Sequence, residues 1–174
     1  MTENNKDQYV HVTHEFGPVY DSASKILILG SLPSVKSREQ QFYYGHPQNR
    51  FWKVLAQALK INAFPDSIEQ KRRLLLANKV ALWDVIASCD IIGSADSTIK
   101  NVKENDMRVI LDAADIRAIF TNGTKAHDLF QKYCRKCSMA NIPEIKLPST
   151  SPANAAWSLE RLTQAWTKAI GDYI

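Results

Sequence analysis

The chain has 174 residues, a length typical of one domain with a sizeable core, and a formal net charge of +4 from 22 Lys and Arg against 18 Asp and Glu. Hydrophobic residues make up 45% of it and charged residues 23%, as is ordinary for a soluble globular protein. No apolar stretch approaches the roughly 20 residues that cross a bilayer, and the N-terminal residues are polar, so we expect neither a membrane span nor a secretory signal.

These properties predict a single cytoplasmic domain over residues 1–174, with about the first ten residues disordered. The mild basic charge is compatible with nucleic acid as a partner but does not require it. The three cysteines, Cys89, Cys134 and Cys137, are typical of a reducing compartment rather than of a disulfide framework. We expect a monomer that does not associate with membranes.

Apolar runs and helical periodicities predict strands that alternate with helices. In chain order the first predicted elements are irregular chain over 16–20, a strand over 25–29, helices over 49–60 and from 65 onward, a strand over 80–83 and a loop over 89–103. They are followed by a helix over 105–114, a strand over 117–121, a helix with Ala126, Leu129, Phe130 and Tyr133 facing inward, a strand over 142–147 and a helix over 154–170. Alternation of this kind favours a parallel sheet covered on both faces. We therefore predict an α/β fold, a three-layer αβα sandwich around a short central parallel sheet of four strands.

The carboxyl ends of the strands in such a sheet share one edge, where open α/β sheets bind their ligands. This edge would collect Ser31-Leu32-Pro33, Asp84, Asn122-Gly123 and 148–151. The segment 43–52 follows the first strand and combines amide, imidazole, guanidinium and aromatic side chains, a composition suited to holding a flat heterocycle. The sequence therefore predicts one cleft built from segments that are far apart in the chain.

Two motifs stand in a fixed order in the chain. The first is Gly30-Ser31-Leu32-Pro33-Ser34 with His46-Pro47-Gln48-Asn49-Arg50-Phe51-Trp52. It is similar to Gly-x-Asn-Pro-Gly and His-Pro-x-Asn-x-Phe-Trp of the mismatch-specific branch of the uracil-DNA glycosylase superfamily. The second, over 147–155, stands at the place of the family's His-Pro-Ser or Asn-Pro-Ser loop. The combination is most similar to the hypoxanthine-DNA glycosylase branch. The resemblance implies a monofunctional enzyme of base excision repair that flips a deaminated base, foremost hypoxanthine, out of double-stranded or single-stranded DNA.

The chain departs from the other branches at two positions. Leu32 stands where they carry an Asn or Asp that handles the attacking water, and Leu147 stands where they carry a His or Asn. Neither leucine can accept or donate a hydrogen bond, so a uracil-type mechanism cannot be carried over unchanged. In the hypoxanthine branch the resemblance implies that the Asn of the His-Pro-x-Asn segment takes the catalytic role, and Asn49 is that residue.

Asn49 does not titrate, but its carbonyl oxygen can hold a water and its NH₂ group can donate to another acceptor. That is sufficient if bond breaking runs ahead of water attack, because water adding to an oxocarbenium ion needs orientation more than deprotonation. The alternative is that Asn49 caps the helix that starts at Arg50, and both roles can hold together.

The predicted base pocket comprises five further residues. Tyr44 matches the family's stacking aromatic and is assigned the face of the base, the alternative being a wall of the core. Asp84 could accept the N1–H of hypoxanthine, or it could cap the next turn. His46 could donate to the leaving base or to phosphate, or it could fix its own loop. Ser31 and Leu32 complete the wall at the strand end.

The hydroxyl and N–H groups of a second set suit contacts to DNA phosphate, although serines are also common in turns for local reasons. This set consists of Ser34, Ser149, Thr150 and Ser151. Pro152 and its neighbours could form a wedge that fills the place of the flipped nucleotide.

Neither motif contains a lysine that could form a Schiff base, so we expect hydrolysis that leaves an abasic site. We expect no cofactor and no metal, because three cysteines are too few for the four-cysteine cluster of some branches. Two alternatives stay open. One is a uracil or mismatch-specific glycosylase of the same fold, and the other is a relative that binds DNA without catalysis.

Overall fold

The structure is a computed structural model that describes residues 7–136 and 141–174. The described residues form two β-sheets with flanking helices. In chain order the elements are β1 (Tyr9–Thr13), β2 (Ile26–Gly30), α1 (Val35–Gln40), α2 (Phe51–Ala58), α3 (Ile68–Ala77), β3 (Val80–Asp84), β4 (Ile86–Ile92), β5 (Lys100–Glu104), α4 (Arg108–Leu111), β6 (Ala118–Asn122), α5 (Thr124–Leu129), β7 (Glu144–Leu147) and α6 (Leu159–Ile170). A 3₁₀ turn, Asp96–Thr98, precedes β5, and a π-helical turn, Phe130–Cys134, continues α5.

The central sheet has the order β3-β2-β6-β7, and its neighbouring strands are parallel. All five residues of β2 are buried, because this inner strand is covered on both faces. The β2-to-β3 and β6-to-β7 crossovers run in opposite directions, so right-handed connections place α2 and α3 on one face and α5 on the other. Helix α6 packs against α2. The predicted three-layer α/β fold with four parallel strands is confirmed.

A second, antiparallel sheet with the order β1-β4-β5 was not predicted. The segment 89–103, predicted as a loop, contains the end of β4 and all of β5, with Gly93-Ser94 in the turn that follows β4. Register shifts between β4 and β5 disrupt the alternation of buried and exposed residues, and β1 and β5 are mostly exposed. The period-two signal that identifies a strand is therefore weak here. Tyr9 and Val10, within the stretch expected to be disordered, open strand β1.

Helices α6 and α1 also differ from the predictions. Helix α6 begins at Leu159 rather than at 154, and Ser158 caps it by accepting from the N–H of Arg161. Helix α1 was missed because it is one short stretch after the strand-end turn, capped by Ser34. The late start of α6 leaves 148–157 as an irregular loop, and this loop forms one wall of the site.

The described helices include none that is both long and apolar enough to cross a bilayer. Within 7–136 and 141–174 there is also no group of three or more His, Cys, Asp or Glu arranged to bind a metal ion. Cys137, the second cysteine of the Cys134-x-x-Cys137 pair, lies outside the described residues.

Candidate functional site

A cleft of about 1000 Å³ opens at the carboxyl ends of the parallel strands. It lies where the strand order reverses between β2 and β6, the place where open α/β sheets bind ligands. The structure brings the residues predicted from the sequence to this one cleft, which is lined by Ser31, Leu32, Ser34, Tyr44, His46, Asn49, Asp84, Ser149, Thr150, Ser151 and Pro152.

The Asn49 side chain is fixed by two hydrogen bonds to its carbonyl oxygen. Oδ1 accepts from the backbone N–H of Phe51, the first residue of α2, at 2.9 Å, and from the Thr150 hydroxyl at 2.9 Å. The helix begins one residue later than predicted, with Arg50 at the N-cap position, and Asn49 supplies the acceptor for its first N–H. These two donors occupy the oxygen that the sequence analysis expected to hold a water. The NH₂ group makes no hydrogen bond within the described part of the chain, so Asn49 offers the cleft a donor.

Thr150 was expected to contact phosphate, but the structure gives it a different role. It is fully buried, and its hydroxyl donates to Asn49 while accepting from Asn122 Nδ2 at 3.0 Å. Its backbone N–H donates to Asn122 Oδ1 at 3.0 Å. Neither its hydroxyl nor its N–H is open to a phosphate. Thr150 instead connects the end of β6 to Asn49, so that the second motif orients the catalytic candidate of the first.

We expect Thr150→Val to lower the free energy of unfolding by about 1–3 kcal/mol, because the nearly isosteric side chain leaves the amide of Asn122 without its buried partner. It should also slow any reaction that depends on the orientation of Asn49. Urea denaturation of the purified variant measures the first effect. Thr150→Ser, which keeps the hydroxyl, is the matched control and should stay closer to the unsubstituted protein. Equal losses for the two variants would contradict the orienting role.

Arg50 holds the loop 148–157 in place, a role that the sequence analysis did not assign. Its guanidinium donates to four backbone carbonyl oxygens, those of Thr150, Ser151, Asn154 and Trp157. The loop is irregular, so its carbonyl groups lack the partners that a helix or sheet would supply. Arg50 supplies them and thereby attaches this loop to the start of α2.

The serines of the two motifs make local bonds as well as lining the cleft. Ser149 Oγ accepts from the N–H of Ser151, Ser151 Oγ accepts from that of Ala153, and Ser34 Oγ accepts from that of Ser37. Ser34 Oγ also pairs with Ser37 Oγ at 3.0 Å, where either hydroxyl can donate. The hydroxyls of Ser149 and Ser151 can still donate to a ligand, and that of Ser34 can do so when Ser37 is the donor. Pro152 is exposed in this loop and lines the cleft.

His46, Leu32 and Leu147 also line the cleft. His46 Nδ1 accepts from the N–H of Gln48 at 3.1 Å, which favours the loop-fixing alternative for one of its nitrogens. Leu32 is half-buried against the core, and Leu147 ends β7 and is buried. The leucines therefore give the cleft apolar surface at these two positions. The Ser31 carbonyl accepts from the N–H of Ile86, which attaches the turn after β2 to β4.

Asp84 ends β3, is 4% exposed and lies at the bottom of the cleft. Its Oδ2 accepts from Nε2 of His14 at 2.8 Å, and both side chains are almost completely buried. Its second oxygen, Oδ1, has no hydrogen-bond partner among the residues that the structure describes. Asp84 is thus held on one side and open on the other.

Gly30 lies between Asp84 and the Tyr44 side chain. A β-carbon on Gly30 would lie 2.3 Å from Asp84 Oδ1 and 2.9 Å from the Tyr44 hydroxyl, so only glycine fits between them. One face of the Tyr44 ring stacks on Phe51 with a centroid separation of 3.9 Å. Burial and the nearby Asp84 carboxylate raise the pKa of the Tyr44 phenol, so the hydroxyl keeps its proton. The Asn122 amide lies beside this buried hydroxyl, whose hydrogen remains available to a ligand.

Sequence reasoning missed three contributors to this geometry. Asn122 was placed at the edge without a role, Arg50 was considered only as part of a motif, and His14 was not considered. Asn122 follows a predicted strand, a signal that could have identified it. His14 directly follows β1, a strand that was not predicted, and no local pattern relates it to Asp84, 70 residues away.

Comparisons with known proteins agree with this geometry. A family model described as the Uracil DNA glycosylase superfamily matches residues 18–170. A protein of Methanosarcina acetivorans named hypoxanthine DNA glycosylase is 37% identical over 147 residues, which cover 84% of this chain and 90% of that protein. A Methanosarcina barkeri protein of the same name is 33% identical over 155 residues, 88% of this chain and 95% of that one. The solution NMR structure of a candidate uracil DNA glycosylase from Methanosarcina acetivorans superimposes with a TM-score of 0.74 at 35% identity, covering 88% of this chain and 92% of that one.

Proposed function

Because the chain belongs to the Uracil DNA glycosylase superfamily, we propose that it is a DNA glycosylase that hydrolyses the N-glycosidic bond of hypoxanthine in DNA. The names of the two Methanosarcina relatives support this choice of base. The observation that carries the proposal is the composition of the cleft, where a fixed amide donor, Asn49, and a carboxylate with one open oxygen, Asp84, line the same space.

Asp84 accounts for the choice between hypoxanthine and adenine. An ionised carboxylate only accepts hydrogen bonds, and hypoxanthine offers an N1–H where adenine has a lone pair. Adenine would therefore leave a buried acceptor facing another acceptor, which is how polar sites reject the wrong ligand. Uracil also has an imino N–H, at N3, so Asp84 by itself does not exclude uracil.

Tyr44 is proposed to stack on the base. Its ring is immobilised on one side by Phe51, and a flat base on the other side would gain about 1–3 kcal/mol. This gain offsets part of the few kcal/mol that extruding the nucleotide costs.

Asn49 is proposed to position the attacking water through its NH₂ group. The C1′–N9 bond breaks with its electron pair going to the base, and water adds to the oxocarbenium-like sugar through an oxygen lone pair. The added oxygen then loses a proton to solvent, and the departing base takes up a proton from solvent. A donor on the other lone pair of that water holds it in place without removing a proton. The orientation of the donor is fixed by Phe51 and Thr150, so little reorganisation is needed during the reaction.

For the substrate as a whole we propose double-stranded DNA, bound by a monomer in the cytoplasm. The exposed Pro152, in the loop held by Arg50, would enter the duplex where the nucleotide leaves. Ser34, Ser149 and Ser151 would donate their hydroxyl hydrogens to phosphates. The product would be an abasic site.

The test is excision from labelled duplexes that carry deoxyinosine, deoxyuridine or a G·T mismatch, with an unmodified duplex as the control and alkali to cleave abasic sites. We expect strand cleavage at deoxyinosine. Cleavage only at deoxyuridine or at the mismatch would favour the uracil or mismatch-specific alternative. Binding without any cleavage would favour a relative that has lost catalysis.

A further inference from the structure

We infer that His14 is a positioning residue for base selectivity, because it holds the Asp84 carboxylate so that a single oxygen faces the base. The inference rests on the proposed function and extends it to a residue outside both motifs. His14 follows β1, in the antiparallel sheet rather than in the sheet that carries the cleft.

The His14 side chain is immobilised by its surroundings and can therefore hold Asp84 in one orientation. Its backbone N–H donates to the carbonyl of Ala87 in β4 at 2.8 Å, and its side chain is 1% exposed. The ring of Phe16 lies 4.5 Å away between centroids, and that of Tyr43 lies 5.9 Å away. The Tyr43 hydroxyl is itself fixed by donating to the Gly17 carbonyl at 2.8 Å. The imidazole therefore has one position, and its Nε2–H points at Asp84.

The imidazole of His14 makes a single side-chain hydrogen bond in the described residues, and its partner is Asp84. Nε2 donates to Asp84 Oδ2 at 2.8 Å, whereas Nδ1 is buried and has no partner in the described residues. A buried nitrogen without a partner is unfavourable, so an apolar side chain would fill this space at lower cost. What a histidine offers here, compared with an apolar side chain, is the hydrogen bond to Asp84. That bond fixes the carboxylate at the bottom of the cleft.

The hydrogen bond to Oδ2 determines which oxygen of Asp84 can accept from the base. A carboxylate that is free to turn about its last bond presents its two oxygens over a range of directions. With Oδ2 bound to His14, the open acceptor is Oδ1, which lies against Gly30 beside the Tyr44 hydroxyl. A base must then place an imino N–H at that one point, which hypoxanthine can do and adenine cannot.

The experiment compares His14→Leu, which removes the donor, with His14→Gln, whose amide NH₂ reaches about the position of Nε2. The matched control is His127→Leu, because His127 makes a similar pair with Glu144 at 2.9 Å but does not line the cleft. Asp84→Asn, alone and combined with His14→Leu, tests whether the effect passes through Asp84. Urea denaturation establishes that each variant is folded.

Two quantities are measured: single-turnover excision from deoxyinosine and deoxyuridine duplexes, and affinity for a duplex with non-hydrolysable 2′-fluoro-deoxyinosine relative to one with deoxyadenosine. We expect His14→Leu to reduce excision and binding preference by about 10- to 100-fold. His14→Gln should stay within about threefold of the unsubstituted protein, and His127→Leu should not change the preference. In the Asp84→Asn background, His14→Leu should change either quantity by less than about threefold.

The inference is overturned if His14→Leu keeps the preference, if folded His14→Gln fails to restore it, or if His14→Leu has its full effect in the Asp84→Asn background. It is also overturned if the unsubstituted protein binds both duplexes equally. A protein that prefers the inosine analogue but excises only uracil, or nothing, would overturn the proposed function while the His14 comparison still stands on binding.

Discussion

Replacing Asn49 with Ala or with Ser is expected to slow single-turnover excision of hypoxanthine by about 100- to 1,000-fold, the loss typical of removing one oriented donor from a reacting centre. The expectation follows from the bonding of the side chain. Oδ1 is occupied by Phe51 and Thr150, so the NH₂ group is what the amide offers to the cleft. Both substitutions remove it. Single-turnover rates at saturating protein, measured on a deoxyinosine duplex, separate this loss from weaker DNA binding.

The two variants separate catalysis from helix capping. Serine is a good N-cap residue and can still accept from the N–H of Phe51, whereas alanine cannot, so Asn49→Ala should lose about 1 kcal/mol more stability than Asn49→Ser. Asn62 is exposed between α2 and α3, and Asn62→Ala is the matched control that should leave excision unchanged. If Asn49→Ser excised hypoxanthine at the normal rate, the NH₂ group would have no catalytic role and Asn49 would be a cap alone.

Gly30→Ala is expected to reduce excision by at least about 100-fold and to lower the free energy of unfolding by about 1–3 kcal/mol. The added β-carbon would lie 2.3 Å from Asp84 Oδ1 and 2.9 Å from the Tyr44 hydroxyl. Asp84 cannot turn aside without breaking its bond to His14 in a buried environment. The substitution therefore disrupts both proposed base-binding groups at once. Urea denaturation and single-turnover excision measure the two effects.

Gly17→Ala is the matched control, because a β-carbon at Gly17 would meet no atom within 4 Å. We expect this variant to stay within about 0.5 kcal/mol of the unsubstituted protein, as is usual for open surface positions. Normal excision by Gly30→Ala would mean that Asp84 and Tyr44 are not needed where the structure has them. Equal losses from both glycine variants would point to the backbone rather than to the cleft.

The α/β fold could be predicted from the sequence because its strands are buried runs. All residues of β2 and β3 are buried, and such continuous apolar runs can be recognised from a single sequence. The second sheet could not be predicted, because β1 and β5 bury few residues and their pairing with β4 is decided by contacts between distant segments. The loop 148–157 was predicted partly as helix for a related reason. Its conformation depends on Arg50, about 100 residues earlier.

The sequence by itself determined which residues belong to the cleft. The strand ends place Asp84 and 148–151 at the carboxyl edge of the sheet, and the family resemblance assigns Asn49 to the same site. Only the tertiary structure decided what each atom there can do. Thr150, 101 residues from Asn49, occupies the amide oxygen and leaves the NH₂ group, and His14, 70 residues from Asp84, occupies one carboxylate oxygen and leaves the other. A hydrogen bond satisfies one lone pair or one hydrogen, and the partner that satisfies it is chosen by packing rather than by spacing along the chain.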